Sequence, residues 1–329
     1  MSETTAKGAA LVPERPEWQA PRRSRWQRLV REINLNGQLY LLVLPVVVGF
    51  FLFQFVPMYG LQIAFKDYNL VKGVAGSEWV GLENFEKLVD DPFFYRVVKN
   101  TVVLGFWTLV LGFPLPILFA LSVNEIRPQH PLFKRVIQSI SYLPHFVAVV
   151  IIVGLMYEFF SSGGIVNQFI EALGFERVKF LGTMSMFRPM YLGSAFYQTV
   201  GWSSIIYLAA LAGIPVELYE AAHVDGASRW QRIRYITLPG LAPTIRVLFI
   251  LSVSVIVSSS FERAYLLQTP GTFEVSDVLD TYVYRRGLVR LDFSYGAAVG
   301  LFNSVVAFIF VFFTNWFVKR TNDEGDGLW

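Results

Sequence analysis

Long apolar stretches, nearly free of charge, recur six times along the chain, at residues 39–56, 101–123, 137–160, 191–214, 242–261 and 295–318. Each holds about 18 residues or more, the length a helix needs to cross roughly 30 Å of hydrocarbon. Charged, proline-rich and glycine-rich segments separate them. Backbone amides surrounded by lipid must bond within their own segment, so the stretches predict helices, whereas a barrel would show short alternating runs. Prolines 45, 114, 116 and 144 predict kinks in three of these helices. The fifth stretch is the least regular, with Pro243 and Arg246 near its start and Ser258, Ser259 and Ser260 at its close. The pattern is that of an all-α polytopic membrane protein.

Composition agrees with the pattern. Of 329 residues, 54% are hydrophobic and only 16% charged, against about a quarter charged in soluble domains. Mean hydropathy is +0.46. Arg22, Arg23, Arg25, Arg28 and Arg31 precede the first span, and the excess of positive charge on that side predicts that both termini are cytoplasmic. The Arg22-Arg23 pair has poor flanks for an export signal, and the apolar span after it is too long, so no cleaved signal is expected. Residues 1–21 lack periodicity. Beyond them Trp26, Leu29, Val30 and Ile33 fall at helical spacing with the arginines on other faces, which predicts a helix lying in the headgroup layer. The expected organisation is a tail with this helix over 1–35, a transmembrane domain over 36–320, and a second tail over 321–329.

Several chemistries have no residues to support them. There is no cysteine, and His130, His145 and His223 form no local zinc pattern. His145 reads as a packed or water-facing side chain. Neither a phosphate loop nor a G-x-S-x-G elbow occurs. Glu158 and Glu262 lie near span ends, where a charge reaches water, and the span centres hold no carboxylates of the kind that serve ion-driven pumps. The interior offers hydroxyls, amides and aromatics instead: Gln198, Trp202, Ser203, Ser258, Ser259 and Asn303, with Tyr284 in the loop before the sixth stretch as a further candidate for the solute path. Such groups suit a wet path for a polyhydroxylated solute, and polar residues that simply join helices look the same. Both readings stay open here. Gly296 and Gly300, with Ser304 one turn on, form a small-residue face fit for close helix packing.

Between the fourth and fifth stretches, residues 215–239 read as two short helices. Pro215 suits a first turn, and Asp225-Gly226 supplies a left-handed ending. Ser228 with Gln231 three residues later forms a capping box, and Pro239 is expected to stop the second helix. Within this elbow the run Glu220-Ala221-Ala222, then Asp225-Gly226-Ala227, then Ile236-x-Leu238-Pro239, resembles the EAA loop of ABC importer permeases, with Ile233 where phenylalanine is common. The resemblance implies a type I ABC importer permease fold of six transmembrane helices in a bacterial cytoplasmic membrane. It also implies that Glu220, Ala221, Ala222, Asp225, Gly226, Ala227, Leu238 and Pro239 couple to a separate ATPase, with ATP and magnesium on that partner and no cofactor in this chain.

The resemblance extends to other segments. Gly81-Leu82-x-Asn84-Phe85, Asp91-Pro92-x-Phe94 and Asn100-Thr101 look like the segment before the second span of sugar permeases. Tyr142-Leu143-Pro144-His145-Phe146, residues 280–285 and residues 297–302 are similar to a subgroup handling oligosaccharides, uronic-acid oligomers such as alginate or aldouronate fragments among them. Arg285, Arg286 and Arg290 would suit an acidic sugar electrostatically. The implied partners are a second, related permease, two ATPase subunits, an extracytoplasmic sugar-binding protein, the oligosaccharide and the lipid bilayer, with no nucleic acid. Two rivals are an ion-coupled secondary sugar transporter, which should show internal repeats or intramembrane ion sites, and a membrane-embedded glycan enzyme, which needs a carboxylate pair at a membrane face, where Glu262 with Asp292 make a weak case.

Overall fold

The computed structural model describes residues 25–126, 129–257 and 260–321. The chain divides into two units after Gly60. In the first, a helix runs from Arg25 to Phe50 and keeps helical geometry through Pro45; its one break is Asn36, at φ −115° and ψ 18°. A π turn, Phe51–Phe55, follows. Side chains such as Leu41, Leu42, Val46 and Phe53 are all exposed, as they must be where hydrocarbon takes the place of water. Of the headgroup helix expected within residues 1–35, the backbone is helical from Arg25 and Trp26 is exposed, while the side chains of Leu29, Val30 and Ile33 lie outside the description. Residues 1–24 and 322–329, the bulk of the two expected tails, also lie outside the described residues.

The second unit, from Leu61 onward, carries the remaining spans. A span of 33 residues, Pro92–Asn124, starts well before residue 101. Its first turns carry Arg96, Lys99 and Asn100, which break the apolar run, but Asp91 caps them by accepting a bond from the Phe93 amide at 2.9 Å, and Pro92 fits the first helical position. Pro114 divides the span into Pro92–Gly112 and Pro114–Asn124.

The third stretch departs further from expectation. A single kinked helix over 137–160 gives way to a helix Pro131–Tyr142, a 3-10 turn Leu143–Phe146, two extended residues, and a helix Val149–Phe160. Pro144 has no amide hydrogen to continue the ladder. The released carbonyl of Val147 finds a donor in the Gln198 side chain at 2.7 Å, which holds the chain open there.

A fourth span, Met184–Ala212, ends in a 70° bend into the helix Val216–Val224. The fifth begins at Arg229 rather than 242 and continues to Val257. Pro239 does not stop it. A π turn over Ile233–Thr237 immediately precedes the helix Leu238–Val253, and this wider turn gives the proline ring room beside the carbonyl four residues back. The last helix is Phe293–Thr321. Among the described residues five helices are long and apolar enough to span a bilayer, and six when the bent pair is included.

Three buried clusters hold this unit together. One joins Leu104, Ile152, Met156, Tyr191 and Leu267; a second joins Ala64, Phe94, Val97, Tyr282 and Tyr295. The third, with Ala120, Tyr207, Leu211, Ile214 and Leu241, sits beneath the elbow, whose Tyr219 and Ile236 pack against it. The close approach expected at Gly296 is made to Gly287: a Cβ on Gly296 would lie 3.0 Å from the Gly287 Cα. Gly300 faces open space, so the small-residue face serves a turn of this chain at one of its two glycines.

Candidate functional site

The elbow is built by its own local chemistry. Val216–Val224 is ended by a Schellman motif, in which the Gly226 amide donates to His223 O at 3.1 Å and the Ala227 amide to Ala222 O at 2.9 Å. Gly226 takes φ +73°, a left-handed conformation that glycine adopts without penalty. Ser228 and Gln231 then cap each other's backbone, at 2.7 and 3.3 Å. Tyr219 Oη and Thr237 Oγ1 meet at 3.0 Å and clamp the two arms together over the buried Thr237. Outside this clamp the surface is mixed. Glu220, Ala221, Asp225, Gly226 and Pro239 are exposed, and Ala222, Ala227 and Leu238 are half-buried. Val216, Leu218, Val224, Trp230 and Tyr235 add exposed apolar area, more than an isolated loop needs in water.

A cavity of ≈ 820 Å³ opens between the helices, with Thr108, Tyr191, Thr199, Trp202, Ser203 and Arg263 among its walls. Trp202 stacks on His145 at 4.5 Å with the rings parallel to within 1°. His145 is therefore a packed aromatic, and no cluster of metal-ligating side chains occurs among the described residues. Arg263, which sequence reasoning passed over, is only 5% exposed. It donates to the Gln198 side-chain oxygen in a short bond and lies 5.9 Å from the Tyr191 ring centroid.

The residues proposed from sequence as a solute path do not converge. Trp202 lines this cavity, whereas Tyr284 and Asn303 line a separate pocket of ≈ 340 Å³. Gln198 is buried, with its amide committed to Val147 on one side and Arg263 on the other. It stands behind the cavity wall. Ser258 and Ser259 lie outside the described residues.

The arginines assigned to an acidic solute are likewise committed elsewhere. Arg285 grips the buried Asp277 through two bonds, at 3.0 and 2.5 Å. Arg286 pairs with Asp91 at 2.5 Å, approaches Asp292 at 3.5 Å, and lies over the Tyr295 ring at 3.6 Å. Asp91 also accepts from Tyr295 at 2.9 Å and, in a short bond, from Tyr282. Burial opposes ionisation of Asp91, yet the two phenols, the Phe93 amide and the Arg286 charge outweigh it and hold the carboxyl below its usual range. Burial pushes the Tyr282 phenol up, and its bond to Asp91 pushes the same way. Arg290 alone of the three arginines is exposed and makes no ion pair among the described residues.

Nearby motif residues have similar internal tasks. Asn84 donates to Ala64 O and Lys66 O, at 3.0 and 3.1 Å. Asn100 donates to Glu274 O and Asp277 O, at 2.9 and 3.1 Å. Thr101 accepts from the Leu279 amide at 2.9 Å.

Membrane-spanning helices around a part-polar cavity, joined to a rigid capped elbow, define a transport subunit. The chain belongs to the family described as binding-protein-dependent transport system inner membrane component, whose model matches residues 112–323. It is 42% identical over 300 residues to the polygalacturonan/rhamnogalacturonan transport system permease protein YteP of Bacillus subtilis (strain 168), covering 91% of this chain and 93% of that one. Protein LplB of the same organism is 41% identical over 288 residues, 87% of this chain and 90% of the other. In solved structures, the chain matches a bacterial ABC transporter involved in the import of the acidic polysaccharide alginate, with a TM-score of 0.81 and 41% identity over 89% of this chain and 99% of that chain. The fold is thus that of a type I ABC importer permease, a multi-pass subunit of the membrane.

Proposed function

We propose that this chain is one of two permease subunits of an ATP-driven importer, and that its cargo is an oligosaccharide containing uronic acids. The observation that carries the reading is the joint likeness, at 41–42% identity over about nine-tenths of the chain, to a polygalacturonan/rhamnogalacturonan permease and to a chain of the alginate importer. A transporter of the latter kind has been solved in complex with an alginate pentasaccharide-bound periplasmic protein, which supports delivery by an extracytoplasmic receptor. The subunit sits in the bacterial cytoplasmic membrane with both termini and the elbow in the cytoplasm. ATP and magnesium belong to a pair of ATPase subunits that grip the elbow.

The geometry supports a mechanical transfer. Tyr219 and Thr237 make the elbow move as one piece, and the cluster beneath it includes Tyr207, which also lines the cavity. Closure of the ATPase pair on the exposed surface around Glu220 then biases the helices between two arrangements, one open to the receptor and one to the cytoplasm. Reconstitution tests this reading. Proteoliposomes holding both permeases, the ATPase pair and the receptor should take up uronate oligomers only with ATP. Uptake by this chain without ATPase subunits, or sugar turnover by it, contradicts the proposal.

A further inference from the structure

Arg263 is an anomaly of charge. It is 5% exposed, its Nε has no hydrogen-bond partner, and among the described residues no carboxylate forms a salt bridge with it, the charge of the adjacent, exposed Glu262 acting only from a distance. Among the described residues its one side-chain bond is to a neutral amide, Gln198. No acidic side chain is among the residues that line the cavity it faces. A buried charge without an ion-pair partner is costly, and one that faces a cavity between membrane-spanning helices commonly serves a ligand or an ion. A purely structural tie to Gln198 would need no charge at all. The cavity also carries hydroxyls from Thr108, Thr199 and Ser203 and the flat surface of Trp202 braced by His145. These match the hydroxyls and the apolar face of a pyranose ring.

We propose that Arg263 is the specificity-determining residue of the cavity, receiving a uronate carboxylate on its guanidinium as the oligosaccharide passes. The inference rests on the importer reading above. Arginine suits the task because its planar donor fork matches a carboxylate and its charge persists at any physiological pH. Gln198 acts as a positioning residue: its amide is fixed by Val147 O, so the guanidinium it holds is fixed in turn.

The test uses the complete importer with its receptor, in proteoliposomes, and compares uptake of a uronate oligomer with uptake of its methyl ester, the receptor being saturated with either. Arg263→Gln removes the charge. Gln198→Glu leaves the arginine in place but supplies a rival carboxylate beside it, and a buried ion pair with it. Both should lower the charged-to-ester uptake ratio by about tenfold or more, the order expected when one charge-assisted contact is lost, and Arg263→Lys should recover part of it. A structural role for Arg263 would depress both uptakes together, and a ratio unchanged in both variants overturns the inference. Wild-type importer that takes up neither oligomer sinks the substrate reading instead, so the two failures are distinct.

Discussion

The elbow and the ion-pair network around Asp91 and Asp277 handle charge in opposite ways. At the elbow, Glu217, Glu220 and Asp225 stand exposed with no ion pair among the described residues, next to exposed Val224 and Trp230. In the network, Asp277 is 1% exposed and bound by Arg285, and Asp91 collects bonds from Arg286, Tyr282 and Tyr295. Yet both regions present charged residues in conspicuous motifs. The difference shows that a motif's charges reveal a binding role only after their internal partners are known. By that accounting the elbow is free to meet another protein, Arg285 and Arg286 are structural, and Arg263 is a buried cation that faces the cavity with no ion pair among the described residues.

Substitutions sharpen the contrast. Asp277→Asn leaves Arg285 without its counter-charge and should cost about 3 kcal/mol, seen as a lower melting temperature of the purified complex; Arg290→Gln should stay within about 0.5 kcal/mol. Gly226→Val forces a β-branched residue to φ +73°, at roughly 1–2 kcal/mol. Because a Cβ there meets nothing within 4 Å, the subunit should still assemble while ATP hydrolysis continues with reduced uptake. Ser228→Ala removes half of the capping box and should cost about 1 kcal/mol, measured by the same melt.

A smaller effect concerns pH. The folded-state pKa of Asp91 lies below its ordinary 3.8, so the stabilisation it supplies is present above that value and is lost as pH falls through the lower, folded one. Melting temperature should therefore show no Asp91-dependent change between about pH 8 and 5. Glu220→Lys should be as mild for stability as Arg290→Gln, within about 0.5 kcal/mol, and should nevertheless separate ATP hydrolysis from uptake. A loss of stability comparable to that of Asp277→Asn would erase the distinction between the two regions.

What the sequence reveals follows the range of the interactions. Apolar length marked the spans, and the Schellman glycine and the Ser228–Gln231 box are written within a few residues, so the elbow's shape was legible. The passage through Pro239 was not, because the π turn that accommodates it has no residue signature. Asp91 and Arg286 are 195 positions apart, and Gln198 and Arg263 are 65 apart. No period or spacing links such partners, so Arg285 and Arg286 looked available and Arg263 went unnoticed. Its signal, an arginine just past a span on a chain with few interior charges, gains meaning only when the burial is seen.

The central claim is that the elbow is held by an ATP-hydrolysing partner. The native chain has no cysteine, so Ala221→Cys gives a single thiol on the exposed elbow face for cross-linking in native membranes. Adducts with an ATPase subunit, formed from the cytoplasmic side and altered by ATP, are the predicted result. Labelling of that thiol by an impermeant reagent from the outer side, or adducts that never include an ATPase, would contradict the account.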